Sequence, residues 1–95
     1  MTAYDRACAI VYDAIDVVNR QLPASRRLPK APDTVIVGAG GALDSLGVVN
    51  FVLAVEEKAA AAGAPVALLD EDMLVEHSPL RTVDSVCRHL AARLA

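Results

Sequence analysis

The chain has 95 residues, 55% of them hydrophobic, and a formal net charge of -3. This length and hydrophobic content suit a single domain over residues 1–95, and the acidic balance argues against a nucleic-acid-binding protein, which normally carries a basic face. No apolar stretch reaches the roughly 20 residues of a membrane span, and the N-terminus does not resemble a secretion signal, so we expect a cytoplasmic protein that does not bind membranes. We also expect a monomer that does not bind nucleic acid.

The first predicted element is a helix near the N-terminus. Thr2 followed by Asp5 is typical of a helix start, and Pro23 is predicted to end the helix because proline cannot continue one. Apolar residues recur between them at the spacing that predicts one buried helical face: Ala7, Cys8, Val11, Ala14, Ile15, Val18 and Leu22.

A long loop is predicted over residues 23–43, which contain three prolines and three clustered glycines. Within it only residues 35–37, with the sequence Val-Ile-Val, look ordered, either as a strand or as an apolar plug. The basic residues Arg26, Arg27 and Lys30 are predicted to form a solvated edge of this loop.

The second predicted helix runs from Ser45 to Ala62, with Gly63 as its C-terminal cap. Its predicted buried face consists of the apolar residues Val48, Phe51, Val52, Val55 and Ala59. Leu46, Val49 and Leu53 are also apolar but lie away from this face at helical spacing. We predict that these three residues form a docking face for a partner protein.

Two further helices are predicted after Pro65. The acidic run at residues 70–72 suits the start of a short third helix, and Thr82 suits the cap of a last helix. The apolar stripe of that last helix consists of Val83, Val86, Cys87, Leu90 and Leu94. The expected fold class is therefore all-α, a four-helix bundle with a long first loop and a short third helix.

Few residues suggest catalysis or metal binding. Cys8 and Cys87 are too few and too far apart along the chain for a disulfide framework or a zinc site, so we predict two buried thiols. His77 and Ser78 are neighbours in a loop with no oxyanion-binding motif, and His89 falls among surface positions of the last helix. We accordingly expect no metal site and no enzymatic activity.

A dinucleotide-binding motif is the alternative interpretation of residues 35–47, because a β-branched run leads into Gly38 and Gly40. The third glycine position of that motif is occupied here by Leu43, whose side chain is too large for close packing of helix and strand. Asp70 is farther from the glycines than the roughly 20 residues expected, and a doubly wound sheet needs strands that the chain does not supply. The sequence therefore disfavours nucleotide binding.

The stretch GALDSLGVVNFVLAVEE, residues 41–57, resembles the modification site of the acyl carrier proteins, in which the serine of D-S-L opens the second helix. The closing stretch SPLRTVDSVCRHL, residues 78–90, is similar to the capped last helix of that family. The helix order and the long first loop extend the resemblance over most of the chain.

This resemblance implies that Ser45 carries 4'-phosphopantetheine, that Asp44 helps to position the transfer reaction, and that Leu46 is the exposed contact for a phosphopantetheinyl transferase. It also implies that the thiol of the prosthetic group holds an acyl cargo as a thioester, with acyl-loading and acyl-processing enzymes as further partners. The chain is then a free-standing carrier in fatty acid or polyketide biosynthesis. An aminoacyl or peptidyl carrier, and a helical protein-interaction module in which Ser45 only caps its helix, are the alternatives.

The predicted docking surface departs from that of many fatty-acid carriers. Those carriers place acidic residues soon after D-S-L, whereas this chain has Gly47 and Asn50 there and has its acids only at Glu56 and Glu57. We include these four residues in the docking surface. Because glycine in a helix costs roughly 0.5–1 kcal/mol relative to alanine, we infer that a dedicated partner approaches closely at Gly47.

Overall fold

The computed structural model describes residues 2–36, 43, 45–66 and 81–94. These residues contain three α-helices and one turn of 3-10 helix at Ala24–Arg26. The α-helices are α1 (Ala3–Asn19), α2 (Ser45–Ala61) and α3 (Val83–Leu94). The described part of the chain is therefore mostly helical, as predicted, and none of its helices is long and apolar enough to cross a bilayer.

The predicted third helix, with its acidic run at residues 70–72, lies outside the described residues. The same holds for Val37, for the glycines of the first loop, and for His77 and Ser78. The three predicted helices that do fall within the described ranges are all present.

Helix α1 begins with a capping box, which confirms the start predicted from Thr2 and Asp5. The Asp5 N–H donates to Thr2 Oγ1 at 3.1 Å, and the Thr2 N–H donates to the Asp5 carboxylate at 3.2 Å. The bond from the Thr2 N–H, followed by the Thr2 hydroxyl, stabilises the ionised carboxylate and so lowers the pKa of Asp5. The buried face of the helix consists of Ala7, Ile10, Val11, Ala14, Ile15 and Val18.

The predicted end of this helix at Pro23 is wrong, because α1 ends at Asn19. The Asn19 side-chain amide donates to the Leu28 carbonyl at 3.0 Å, and its oxygen accepts the Leu28 N–H at 2.8 Å. These bonds fix the returning loop against the end of the helix and bury Leu28, which is 4% exposed. The first loop thus adds a core residue that helical periodicity did not indicate.

The apolar plug predicted at residues 35–37 is confirmed for Val35 and Ile36. Ile36 is fully buried, and its N–H donates to the Arg81 carbonyl at 2.7 Å. Val35 forms an isolated antiparallel bridge with Thr82, and the described residues contain no β-strand. This pairing holds the end of the first loop against the start of α3.

The core lies where α2 and α3 pack against α1. Phe51, the one phenylalanine of the chain, is fully buried in it. The other large side chains that are essentially fully buried are Val11, Ile15, Ile36, Val52, Val55, Val83, Val86, Cys87 and Leu90. A nearly all-aliphatic core is thus built around a single aromatic ring.

Helix α2 ends in a Schellman motif, which confirms the cap predicted at Gly63. The Ala64 N–H donates to the Ala59 carbonyl at 2.9 Å, and the Gly63 N–H donates to the Ala60 carbonyl at 3.0 Å. Gly63 has a φ of 83°, a left-handed conformation that glycine adopts without steric cost.

Helix α3 begins with a reciprocal cap at the predicted residue Thr82. The Ser85 N–H donates to Thr82 Oγ1 at 3.1 Å, and the Thr82 N–H donates to Ser85 Oγ at 2.9 Å. Of the predicted apolar stripe, Leu94 is half-buried and the others are buried, namely Val83, Val86, Cys87 and Leu90. The stripe is therefore the face that α3 presents to the core.

Candidate functional site

The candidate site is the start of α2. The helix begins at Ser45, whereas Asp44 and the side chain of Ser45 lie outside the described residues. Backbone N–H groups in the first turn of an α-helix lack intrahelical acceptors, and the positive end of the helix dipole lies there. The first turn of α2 contains no acidic side chain. The start of α2 therefore favours a negatively charged group.

An exposed strip runs along α2 from this end. Leu46 is 69% exposed and Leu53 is 47% exposed, and they are the two exposed large hydrophobic side chains of the described residues. Asn50 and Glu57 are also exposed. Because these four residues follow one another at intervals of three or four, they share one side of the helix. We call Leu46, Asn50, Leu53 and Glu57 the outer strip.

The remaining residues of the predicted docking surface flank the outer strip. Gly47, Val49 and Glu56 are half-buried. The expectation that Val49 lies away from the core like Leu46 and Leu53 is thus only partly correct. Val49 precedes the buried Val52 by three residues, which places it at the margin of the buried face.

The opposite side of α2 belongs to the core. The predicted buried residues Val48, Phe51, Val52, Val55 and Ala59 are all buried, and Ala54 joins them. The exposure predicted for Leu46 and Leu53 is confirmed on the other side. The helix therefore divides into a face that stabilises the fold and an outer strip that is exposed to solvent.

The basic residues predicted at the edge of the first loop are exposed. Lys30 Nζ pairs with the Asp16 carboxylate at 2.7 Å, and both side chains are partly exposed. A pair this exposed contributes at most about 1 kcal/mol. Exposed Arg27 lines an open cleft together with Asp16, Asn19 and Arg20. This cleft is built by the end of α1 and the first loop, and none of its four lining residues belongs to α2.

A polar cluster between α1 and α3 was missed by the sequence analysis. The Tyr4 hydroxyl donates to the Asp84 carboxylate at 2.6 Å, and this bond, followed by the neighbouring Cys8, raises the pKa of Tyr4. Burial, followed by Cys8, raises the pKa of Cys87 to about 12. The prediction of two buried thiols is correct for Cys87, whereas Cys8 is half-buried. Among the described residues, no group of three or more histidine, cysteine and carboxylate side chains is arranged to hold a metal ion.

A usable sequence signal for this cluster was the spacing of its members. Tyr4 and Cys8 lie four residues apart on one predicted helix, and Asp84 and Cys87 lie three apart on another. Such spacings put each pair on one side of its helix. The contact between the two helices, which periodicity does not specify, then brings the pairs together.

His89 was predicted at the surface, and that prediction is wrong. The residue is half-buried, and its imidazole Nε2 is buried without a hydrogen-bond partner in the part of the chain that the structure describes. Burial, followed by the positive charge of Arg93, lowers the pKa of His89, because both disfavour the imidazolium form.

We expect the free energy of unfolding to fall as the solution is acidified through the histidine range. With an ordinary histidine pKa of about 6.5, the unfolded chain takes up a proton at a higher pH than the folded chain. His89 therefore stabilises the fold above that pH, and this contribution is lost as the pH falls toward the lowered native value. Urea denaturation at a series of pH values measures the effect. The His89→Gln variant should show a flatter profile, and an unchanged profile would contradict the assignment.

Comparisons with known proteins supply no relative for this chain. Searches of protein-family models, of curated proteins and of solved structures give no match.

Proposed function

We propose that the chain is a carrier protein in which Ser45 bears 4'-phosphopantetheine and the outer strip docks partner enzymes. The observation that carries this proposal is the position of Ser45 at the start of α2, directly beside the exposed Leu46. An enzyme that binds the Leu46 side chain is thereby brought next to the serine that it modifies.

The prosthetic group suits this position. In the transfer from coenzyme A, the serine oxygen bonds to phosphorus, the diphosphate bond breaks, and adenosine 3',5'-bisphosphate leaves. The resulting phosphodiester is an anion at the end of α2 where backbone N–H groups and the helix dipole favour negative charge. We assign Asp44, which precedes the serine, to positioning of this transfer. When bound, the group supplies a thiol that holds the cargo as a thioester.

We propose a fold of acyl-carrier type, in which a short helix near residues 70–74 completes a four-helix bundle. The proposed cargo is an acyl group. An aminoacyl or peptidyl carrier is the second candidate, because the outer strip is poor in acidic residues, with Asn50 in its middle and Glu57 only at its far end. This composition departs from the acidic docking helices of many fatty-acid carriers.

In this role the chain is a substrate and a shuttle and does not itself catalyse a reaction. Its partners are a phosphopantetheinyl transferase and the enzymes that load and process the acyl group. The two exposed leucines of the outer strip support such encounters, because a few apolar side chains that lose water on binding often dominate the binding energy of an interface. We place the protein in the cytoplasm as a monomer.

The proposal is tested by incubating the full chain with coenzyme A and a promiscuous phosphopantetheinyl transferase and then measuring the intact mass. We expect a gain of one phosphopantetheine, which peptide mapping locates at Ser45. The loaded product is then offered to acyl-loading and to amino-acid-adenylating enzymes, and we expect transfer of an acyl group. No mass gain under conditions that modify an authentic carrier, or a gain at Ser25 or Ser85, would reject the proposal and favour an interaction module.

A further inference from the structure

The polar cluster between α1 and α3 brings two cysteines together. The hydrogen bond from Tyr4 to Asp84 at 2.6 Å fixes how the first turns of the two helices meet. Cys8 follows Tyr4 by four residues and Cys87 follows Asp84 by three, so each cysteine lies about one helical turn further along the same side of its helix. The Cys8 thiol is among the groups that act on the Cys87 thiol, so the two are neighbours across the interface, and each is free.

The two thiols differ in their access to solvent. Cys87 is 1% exposed, whereas Cys8 is half-buried at the edge of the interface. A dissolved reagent consequently meets Cys8 first. Burial keeps the thiolate form of Cys87 scarce, since it raises the pKa of Cys87 to about 12. A reaction of Cys87 with a neighbouring sulfur is intramolecular, however, and gains the large rate advantage of fixed proximity.

We propose that Cys8 and Cys87 are an oxidisable pair, which a disulfide oxidant such as oxidised glutathione converts into an intramolecular disulfide between α1 and α3. First, the Cys8 thiolate attacks one sulfur of the oxidant, whose S–S bond breaks, and one glutathione leaves and takes up the proton lost by Cys8. Cys87 Sγ then attacks Cys8 Sγ, and the second glutathione leaves with the proton of Cys87. Two cysteines are oxidised, and one oxidant disulfide is reduced to two thiols.

The bond joins residues near opposite ends of the sequence and so constrains the unfolded chain over most of its length. Disulfides that close long loops stabilise the native state most, and we expect the melting temperature of the oxidised protein to rise by about 10 °C or more. Neither cysteine belongs to α2, so closure leaves the outer strip exposed.

The test treats the reduced full chain with excess oxidised glutathione at about pH 8.5, near the ordinary cysteine pKa. Intact mass under denaturing, non-reducing conditions should show the loss of two hydrogen atoms and no retained glutathione. Peptide mapping should recover a Cys8–Cys87 linked pair, and the melting temperature should rise and return to its original value on reduction. Closure should also accelerate with pH, because both steps require a thiolate.

Two matched variants identify the role of each thiol. Cys87→Ala should stop at the first step and retain one glutathione on Cys8, whereas Cys8→Ala should stay unmodified because Cys87 is buried. A melting curve checks that each variant is folded, and Cys87→Val, which fills more of the buried volume, replaces Cys87→Ala if that variant unfolds. The proposal is overturned if the folded wild-type chain stays reduced, retains glutathione as Cys87→Ala does, or forms only intermolecular dimers.

Discussion

Replacing Ser45 by alanine is expected to abolish phosphopantetheinylation and to leave a folded helical protein. The transfer needs a hydroxyl oxygen as its acceptor, and alanine has none. Ser45 is the first residue of α2, where alanine is a strong helix former, and even loss of a capping side chain costs only about 0.5–2 kcal/mol. Intact mass after incubation with coenzyme A and the transferase measures the first effect, and a circular dichroism melting curve measures the second.

The matched control is Ser25→Ala, because Ser25 is an exposed serine in the 3-10 turn and lies outside α2. This variant should be modified as completely as the wild-type chain. If Ser45→Ala proves unfolded, Ser45→Asp repeats the test with a residue that suits a helix start but offers no hydroxyl acceptor. A gain of one phosphopantetheine on either folded Ser45 variant would show that the group is attached elsewhere.

The helix ends predicted correctly are those set by bonds between near neighbours in the sequence. The capping box of Thr2 and Asp5, the left-handed Gly63 and the cap at Thr82 each depend on residues within a few positions of one another. The end of α1 was predicted too late, because no signal among near neighbours marks Asn19 as its last residue. Asn19 bonds to Leu28 in the returning loop, a contact that local propensity does not encode.

In the candidate site too, features set within one helix were predicted, and features set by packing between helices were not. Periodicity separated the buried face of α2 from the exposed Leu46 and Leu53, because a helix fixes which residues share a side. Periodicity could not predict the intermediate exposure of Val49, which lies at the margin of the two faces. The burial of His89 and the meeting of Cys8 with Cys87 depend on how the helices pack, which the spacing within one helix leaves open.

Aspartate at Leu46 or at Leu53 is expected to slow modification or cargo loading sharply while leaving the fold intact. Both side chains are exposed, and substitutions at exposed positions usually change stability by no more than about 0.5 kcal/mol, or roughly 2–4 °C in melting temperature. An apolar side chain that is desolvated at the centre of an interface can contribute about 2 kcal/mol or more, which corresponds to a rate loss of about 30-fold. A melting curve and a transferase rate are measured for each variant.

Phe51→Ala is the matched control from the buried face of the same helix. Phe51 is fully buried, and its truncation leaves a cavity that costs roughly 3–5 kcal/mol. This variant should therefore lose stability first, and any loss of modification should follow from unfolding. Its melting curve sets the scale against which the two aspartate variants are judged.

The pair of measurements separates three explanations for the outer strip. If Leu46→Asp and Leu53→Asp unfold as readily as Phe51→Ala, both leucines belong to the core and the outer strip is no docking surface. If both variants stay folded and react at the wild-type rate, the strip is open but the tested enzyme does not bind it. Only retained stability together with a reduced rate fits docking, because a charge on an exposed strip disturbs nothing until a partner has to remove water from it.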